Sequence, residues 1–212
     1  MRFRDRREAG QLLAERLDFL QGRKGLLVLG IPRGGVVVAA EVARALDAPL
    51  DVFIARKLGA PHNPELAVGA VASSGEVVFD EPLIAALGVP YSYLEAEIKQ
   101  QQAEIQRRMK TYRGDRPPPD FKDRTVILTD DGVATGATMR AAIQALKATE
   151  LRELIIALPV GPPDTVQELA DMVDRMVCLH TPAFFWAVGG FYMDFSQTTD
   201  AEVIQLLQGS QG

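Results

Sequence analysis

Thr125-Val126-Ile127-Leu128-Thr129-Asp130-Asp131-Gly132-Val133-Ala134-Thr135-Gly136-Ala137-Thr138 reads as a buried strand that delivers two acids, then a loop, then the start of a helix. The apolar residues from Val126 to Leu128 run without alternation, as they do in a strand covered on both faces. An ionised carboxylate only accepts hydrogen bonds, so the adjacent pair Asp130 and Asp131 suits vicinal hydroxyls or a hydrated magnesium ion. Gly136 lets the backbone approach a ligand closely, and a helix N-terminus favours an anion through its N–H groups and its dipole. Thr135 and Thr138 add hydroxyl donors. Diol acceptors at one end and phosphate donors at the other describe a clamp for a ribose 5-phosphate.

Outward from this stretch, short apolar runs alternate with helical periods. Leu26–Leu29, Leu50–Ala55, Thr125–Leu128, Leu154–Leu158 and Arg175–Leu179 read as strands. Helical spacing covers Arg4–Leu20, Val36–Leu46, Thr138–Ala148 and Asp164–Met172. Strands separated by helices of about a dozen residues imply a parallel α/β sheet covered on both faces. Right-handed crossovers then bring the turn after each strand to one sheet edge, where ligands bind. Ala67–Val71 and Glu76–Phe79 read as a hairpin around Ser73-Ser74-Gly75. Tyr91–Tyr112 carries Leu94, Ile98, Ile105, Met109 and Tyr112 on a helical period and stops at Gly114 and the prolines 117–119.

Composition narrows the function classes. With 23 Lys plus Arg against 28 Asp plus Glu, the net charge is −5. That balance gives no global field to hold the chain on nucleic acid or an anionic membrane. Arg2, Arg4, Arg6 and Arg7 crowd together at the start, which reads as a solvated beginning of a helix rather than a nucleic-acid arm. Cys178 is the single cysteine, so no disulfide framework exists, which fits a reducing cytoplasm. His62 and His180 are the only histidines, too few with one cysteine for a Cys/His zinc site. No apolar run reaches the roughly 18 residues of a membrane span, and the charged start does not resemble a secretory signal. The length of 212 residues suits one α/β domain with an appended subdomain.

At Thr125–Thr138 the chain resembles the type I phosphoribosyltransferase family, whose signature is an apolar run, two acids and a T-G-x-T turn. Neither a P-loop, which needs a lysine after its glycine, nor a G-x-G-x-x-G dinucleotide fingerprint is present. The resemblance implies a three-layer parallel-sheet fold over residues 1–212 with a small hood subdomain. Hood or lid elements would come from about 80–120 and 181–212. It implies that Gly132, Val133, Ala134, Thr135, Gly136, Ala137 and Thr138 hold the 5-phosphate of phosphoribosyl pyrophosphate. Asp130 and Asp131 would meet the ribose and the magnesium ion that travels with the pyrophosphate. Gly30-Ile31-Pro32-Arg33-Gly34-Gly35 resembles the family's pyrophosphate loop, with Arg33, Gly34 and Gly35 as contacts and a non-proline cis bond near Arg33–Gly34. Arg56 and Lys57 stand where the family places basic residues facing pyrophosphate, with a solvated pair as the alternative. The exposed-turn reading is preferred for Pro61-His62-Asn63-Pro64-Glu65.

The resemblance further implies transfer of the phosphoribosyl group to a nitrogenous base with release of pyrophosphate, a step in nucleotide metabolism. Catalysis would rest on Asp130, Asp131, Arg33 and Lys57. Gly132 stands where the family usually has a bulky apolar residue. Ala134 replaces the acid that members acting on 6-oxopurines tend to carry, so that subgroup is disfavoured. The stretch Phe184–Phe195 holds six of the fourteen aromatics, and the family's hood stacks an aromatic face on the base; Trp186 and Tyr192 are the expected contacts. The Tyr91–Tyr112 helix replaces the closing loop and reads as a helical lid, a packed helix or the interface of a homodimer. The alternative function is a non-catalytic sensor of phosphoribosyl pyrophosphate or a nucleotide using the same pocket.

Overall fold

A computed structural model describes residues 1–210. In chain order the first elements are α1 (Arg6–Arg16), β1 (Leu26–Gly30), α2 (Gly34–Leu46), β2 (Leu50–Val52), β3 (Ala55–Ala60), β4 (Asn63–Ala72) and β5 (Val77–Phe79). Then come α3 (Glu81–Leu87), α4 (Tyr91–Arg113), β6 (Thr125–Thr129), α5 (Ala137–Lys147), β7 (Glu153–Val160), α6 (Pro163–Ala170), β8 (Arg175–His180) and α7 (Asp200–Gly209). The chain divides into two compact units, the first made of Met1–Val52, Pro119–Gly136 and the residues from Glu150 onward, the second of Phe53–Pro118 and Ala137–Thr149. The expected hood segment of about 80–120 thus lies in the second unit up to Pro118 and in the first beyond it, and the segment from 181 lies in the first.

The first unit is α/β, built on a five-stranded sheet in the order β2-β1-β6-β7-β8, every pair parallel. Val28, Leu29, Ile127, Leu128, Ile155 and Ile156 are all 0% exposed, which explains the apolar runs without alternation. Helix α2 packs on β1, β2 and β6, and α1 packs on α2, β7 and β8. The order reverses between β1 and β6, whose register pairs Gly30 with Thr129. The turns after these two strands therefore leave the sheet side by side, the arrangement that opens a ligand crevice in such folds.

The second unit is an antiparallel sheet, β3-β4-β5, in which Gly69, Ala70 and Val71 pair with Phe79, Val78 and Val77. The hairpin read from the sequence is thus present, with a third strand added. That strand corrects the reading of Leu50–Ala55 as one element. The parallel strand stops at Val52, and Ile54 donates its N–H to Ser73 Oγ at 3.1 Å and accepts from Ser73 N at 2.8 Å. Buried Phe53 and Ile54 continue the apolar run through the break, so hydropathy alone does not mark it. Pro61 and His62 form the turn between β3 and β4, with His62 exposed at φ 63°. Helix α4 packs on β3 and β4, burying Leu94, Ile105 and Tyr112, and the Tyr93 hydroxyl donates to Gly59 O at 2.7 Å. Among the described residues no helix is long and apolar enough to cross a membrane.

Ile127 lies at the centre of the parallel sheet, paired with Val28 and Ile155. Ile127→Ala should lower the unfolding free energy by about 2–5 kcal/mol, the usual cost of a buried large-to-small change. Urea denaturation checks this; a midpoint equal to wild type would show that the centre of the core is elsewhere.

Candidate functional site

The site is assembled where the turns after β1 and β6 meet. Ile31 donates its N–H to Thr129 O at 3.0 Å, tying the first turn to the end of the neighbouring strand. Helix α2 begins at Gly34, and its first two residues press on the acid pair. A methyl on Gly34 would stand 2.1 Å from Asp131 Oδ2, and one on Gly35 2.8 Å from Asp130 Cα. Any side chain here would push the turn off the carboxylates, so the two glycines are required by contact. The non-proline cis bond is at Pro32–Arg33, one residue before the position that the family resemblance implied. Arg33 is partly exposed and faces Asp200 at 3.8 Å, a loose surface pair of small energetic value.

Asp130 and Asp131 are partly buried, and Asp131 N–H donates to Asp130 Oδ1 at 2.8 Å. Burial, and then the charge of Asp131, hold the Asp130 carboxyl well above the usual carboxylate range. Burial also raises Asp131, against the pull of Arg6. Arg6 Nε reaches Asp131 Oδ2 at 2.7 Å, with both side chains largely shielded. Sequence reasoning missed this residue, placing it in a solvated arginine cluster. The only signal available was the cluster itself, beside Asp5, which caps α1 by accepting from Glu8 N at 2.9 Å.

The loop that follows is anchored at its middle. Val133 is 5% exposed and donates its N–H to Val160 O at 3.0 Å, while Thr165 Oγ1 donates to Ala134 O at 3.1 Å. Gly132, at φ 155°, leaves no room for a side chain: a methyl would meet Val188 Cγ1 at 2.7 Å and Val160 Cγ1 at 2.9 Å. Val188 and Val160 together occupy the space that a side chain at this position would need. Ala134 and Thr135 are exposed, and Gly136 turns the chain at φ 76° into α5, whose first turn contains Ala137 and exposed Thr138.

Other expected residues are placed differently. Arg56 and Lys57 open β3 in the second unit rather than ending a parallel strand. Arg56 donates to Gln101 on α4, and Lys57 pairs with Glu65 at 2.8 Å. Trp186 is 91% exposed, whereas Tyr192 is 1% exposed. The Tyr192 ring lies between Phe3 and Phe195, at centroid distances of 5.4 and 5.1 Å, and its hydroxyl donates to Asp131 O at 2.6 Å. The structure thus ties Tyr192 to the main chain of Asp131, with no ring face open to a base. No group of three or more His, Cys, Asp or Glu fit to hold a metal occurs among the described residues. Two carboxylates, one already paired with Arg6, suit a magnesium ion only if a ligand's phosphates supply further oxygens.

The family model for the phosphoribosyl transferase domain matches residues 6–196. Rv0571c of Mycobacterium tuberculosis is 44% identical over 205 residues, which cover 97% of this chain but only 46% of that protein. The bifunctional protein PyrR of Deinococcus radiodurans is 31% identical over 150 residues, 68% of this chain and 73% of that one. The crystal structure of TT1426 from Thermus thermophilus shares 46% identity and a TM-score of 0.92, with 100% of both chains covered. This chain therefore spans about half the length of its mycobacterial relative and the whole of the Thermus one.

The strained charge on Asp130 has a measurable consequence. Its folded pKa lies above its unfolded value, so the stability gained from the bound proton is complete at acid pH and is lost as pH rises through the folded pKa. Asp130→Asn keeps the acceptor for Asp131 N–H and removes the charge. At pH 8, without ligand, it should melt a few degrees above wild type, each kcal/mol being worth roughly 2–4 °C at this size, and the gap should close near pH 4. A lower melting temperature at pH 8 would refute the burial argument.

Proposed function

The chain belongs to the phosphoribosyl transferase domain family, and on that premise we propose that it transfers the 5-phosphoribosyl group of phosphoribosyl pyrophosphate to a nitrogenous base, releasing pyrophosphate. The observation that carries the reading is the contact of Gly34 and Gly35 with Asp130 and Asp131 at the reversal of the sheet. It sets a backbone turn suited to an anion directly against acceptors suited to a sugar diol. The loop from Gly132 to Thr138 would take the 5-phosphate, through its backbone and the hydroxyls of Thr135 and Thr138.

In this reading a ring nitrogen of the base forms a bond to C1 of the ribose as the bond from C1 to the pyrophosphate oxygen breaks. Positive charge grows on the sugar while negative charge leaves with pyrophosphate, so the work is mainly electrostatic. Asp130 and Asp131 orient the ribose hydroxyls and offset the cationic ring. Arg33 and the N–H groups at Gly34 and Gly35 meet the departing phosphates. Magnesium bound to the pyrophosphate would neutralise part of the leaving group's charge. Trp186 offers the exposed aromatic face for the base. Ala134, which cannot move a proton, favours bases other than 6-oxopurines.

The non-catalytic sensor draws support from α4, which is packed on β3 and β4 where the family has a closing loop. Release of pyrophosphate from phosphoribosyl pyrophosphate on mixing with a panel of bases supports transfer; tight binding without release supports the sensor.

Asp131→Asn should weaken binding of phosphoribosyl pyrophosphate in magnesium buffer by tenfold or more, roughly the worth of a charge-assisted hydrogen bond to a hydroxyl. Calorimetric titration measures it, and affinity equal to wild type would reject the assignment.

A further inference from the structure

We propose that Arg6 is a positioning residue for the ribose-binding acid, fixing Asp131 so that the pair presents one set geometry to the sugar diol. The inference rests on the proposed function and assigns a role to a residue outside both family loops.

Arg6 takes part in a closed circuit of contacts. Its Nε holds Asp131 Oδ2 at 2.7 Å, its Nη1 donates to Ser196 O at 2.7 Å, and its guanidinium carbon lies 3.9 Å from the centroid of the Phe195 ring. Phe195 stacks on Tyr192, whose hydroxyl returns to the main-chain oxygen of Asp131 at 2.6 Å. Asp131 is therefore gripped at the side chain by Arg6 and at the backbone by Tyr192, and the two grips are joined through Phe195.

The arginine itself is delivered by pairing of distant segments. Phe3 N donates to Phe191 O at 2.8 Å, Met193 N to Phe3 O at 2.7 Å and Asp194 N to Arg4 O at 2.8 Å. These bonds set the first turn of α1 over the acid pair. A guanidinium suits the task because one planar, pre-organised group bonds Asp131 through Nε and Ser196 O through Nη1 while its face lies on Phe195, where an ammonium supplies only a point charge. Gly34 closes the remaining side, since a methyl there would stand 2.6 Å from Arg6 Nε.

A residue that orients the ribose acid affects ligands in proportion to their use of the diol. Three titrations of wild type, Arg6→Gln and Arg6→Lys separate this role from direct contact with the leaving group: phosphoribosyl pyrophosphate with magnesium, ribose 5-phosphate alone, and pyrophosphate with magnesium. In Arg6→Gln the first two should lose roughly tenfold in affinity, while pyrophosphate binds as in wild type. Arg6→Lys should recover only part of the loss. Phe195→Leu removes the stack without touching any charge and should weaken ribose 5-phosphate in the same direction, with a cooperative melting curve showing that the fold is kept. Unchanged ribose 5-phosphate affinity in Arg6→Gln overturns the proposal, as does a loss confined to pyrophosphate or full recovery in Arg6→Lys. If wild type binds neither phosphoribosyl pyrophosphate nor ribose 5-phosphate, the functional reading falls and the proposal with it.

Discussion

Two carboxylates placed side by side on a partly buried sheet edge repel each other and lose hydration, and the architecture around them answers that cost. Asp130 is held above the ordinary carboxylate range by burial and by its neighbour, while Asp131 is matched by the guanidinium of Arg6. Burial of such a pair is costly in the free protein, and groups of this kind cluster at functional sites. A sugar's hydroxyls can donate to these oxygens, and a metal-bearing phosphate can offset their charge. On the proposed function, a bound sugar phosphate would offset part of the cost that the pair carries in the free protein.

The sheet's topology makes this placement possible. Because β1 and β6 are neighbours at the reversal of strand order, their following turns are brought together with no long loop to order. Glycines at 34 and 35 let α2 start against the acids, and Val133 pins the second loop to Val160. Each turn therefore defines the other's position. The acids come from one, the glycines pressed against them from the other.

Much of this is legible in the sequence because the strands of a sheet buried on both faces leave uninterrupted apolar runs, as at Val126–Leu128. Paired acids followed by a threonine–glycine turn are equally local. What is not legible depends on distance or on direction. The switch of sheet after Val52 lies inside a continuous apolar stretch, so Arg56 and Lys57 read as the end of a parallel strand when they open an antiparallel one. Arg6 meets an aspartate 125 positions away, and nothing in a cluster of four arginines tells which one turns inward. The aromatic segment identifies its neighbourhood but not its facing: Trp186 is outside, Tyr192 inside.

The crowding at Gly132 ties two separate parts of the chain into one steric quantity. Val188 and Val160 fill the space that a side chain at 132 would occupy, so bulk at 132 is incompatible with the present placement of either valine. The path of the backbone beside the acid pair is thus set by side chains that stand far from it along the chain.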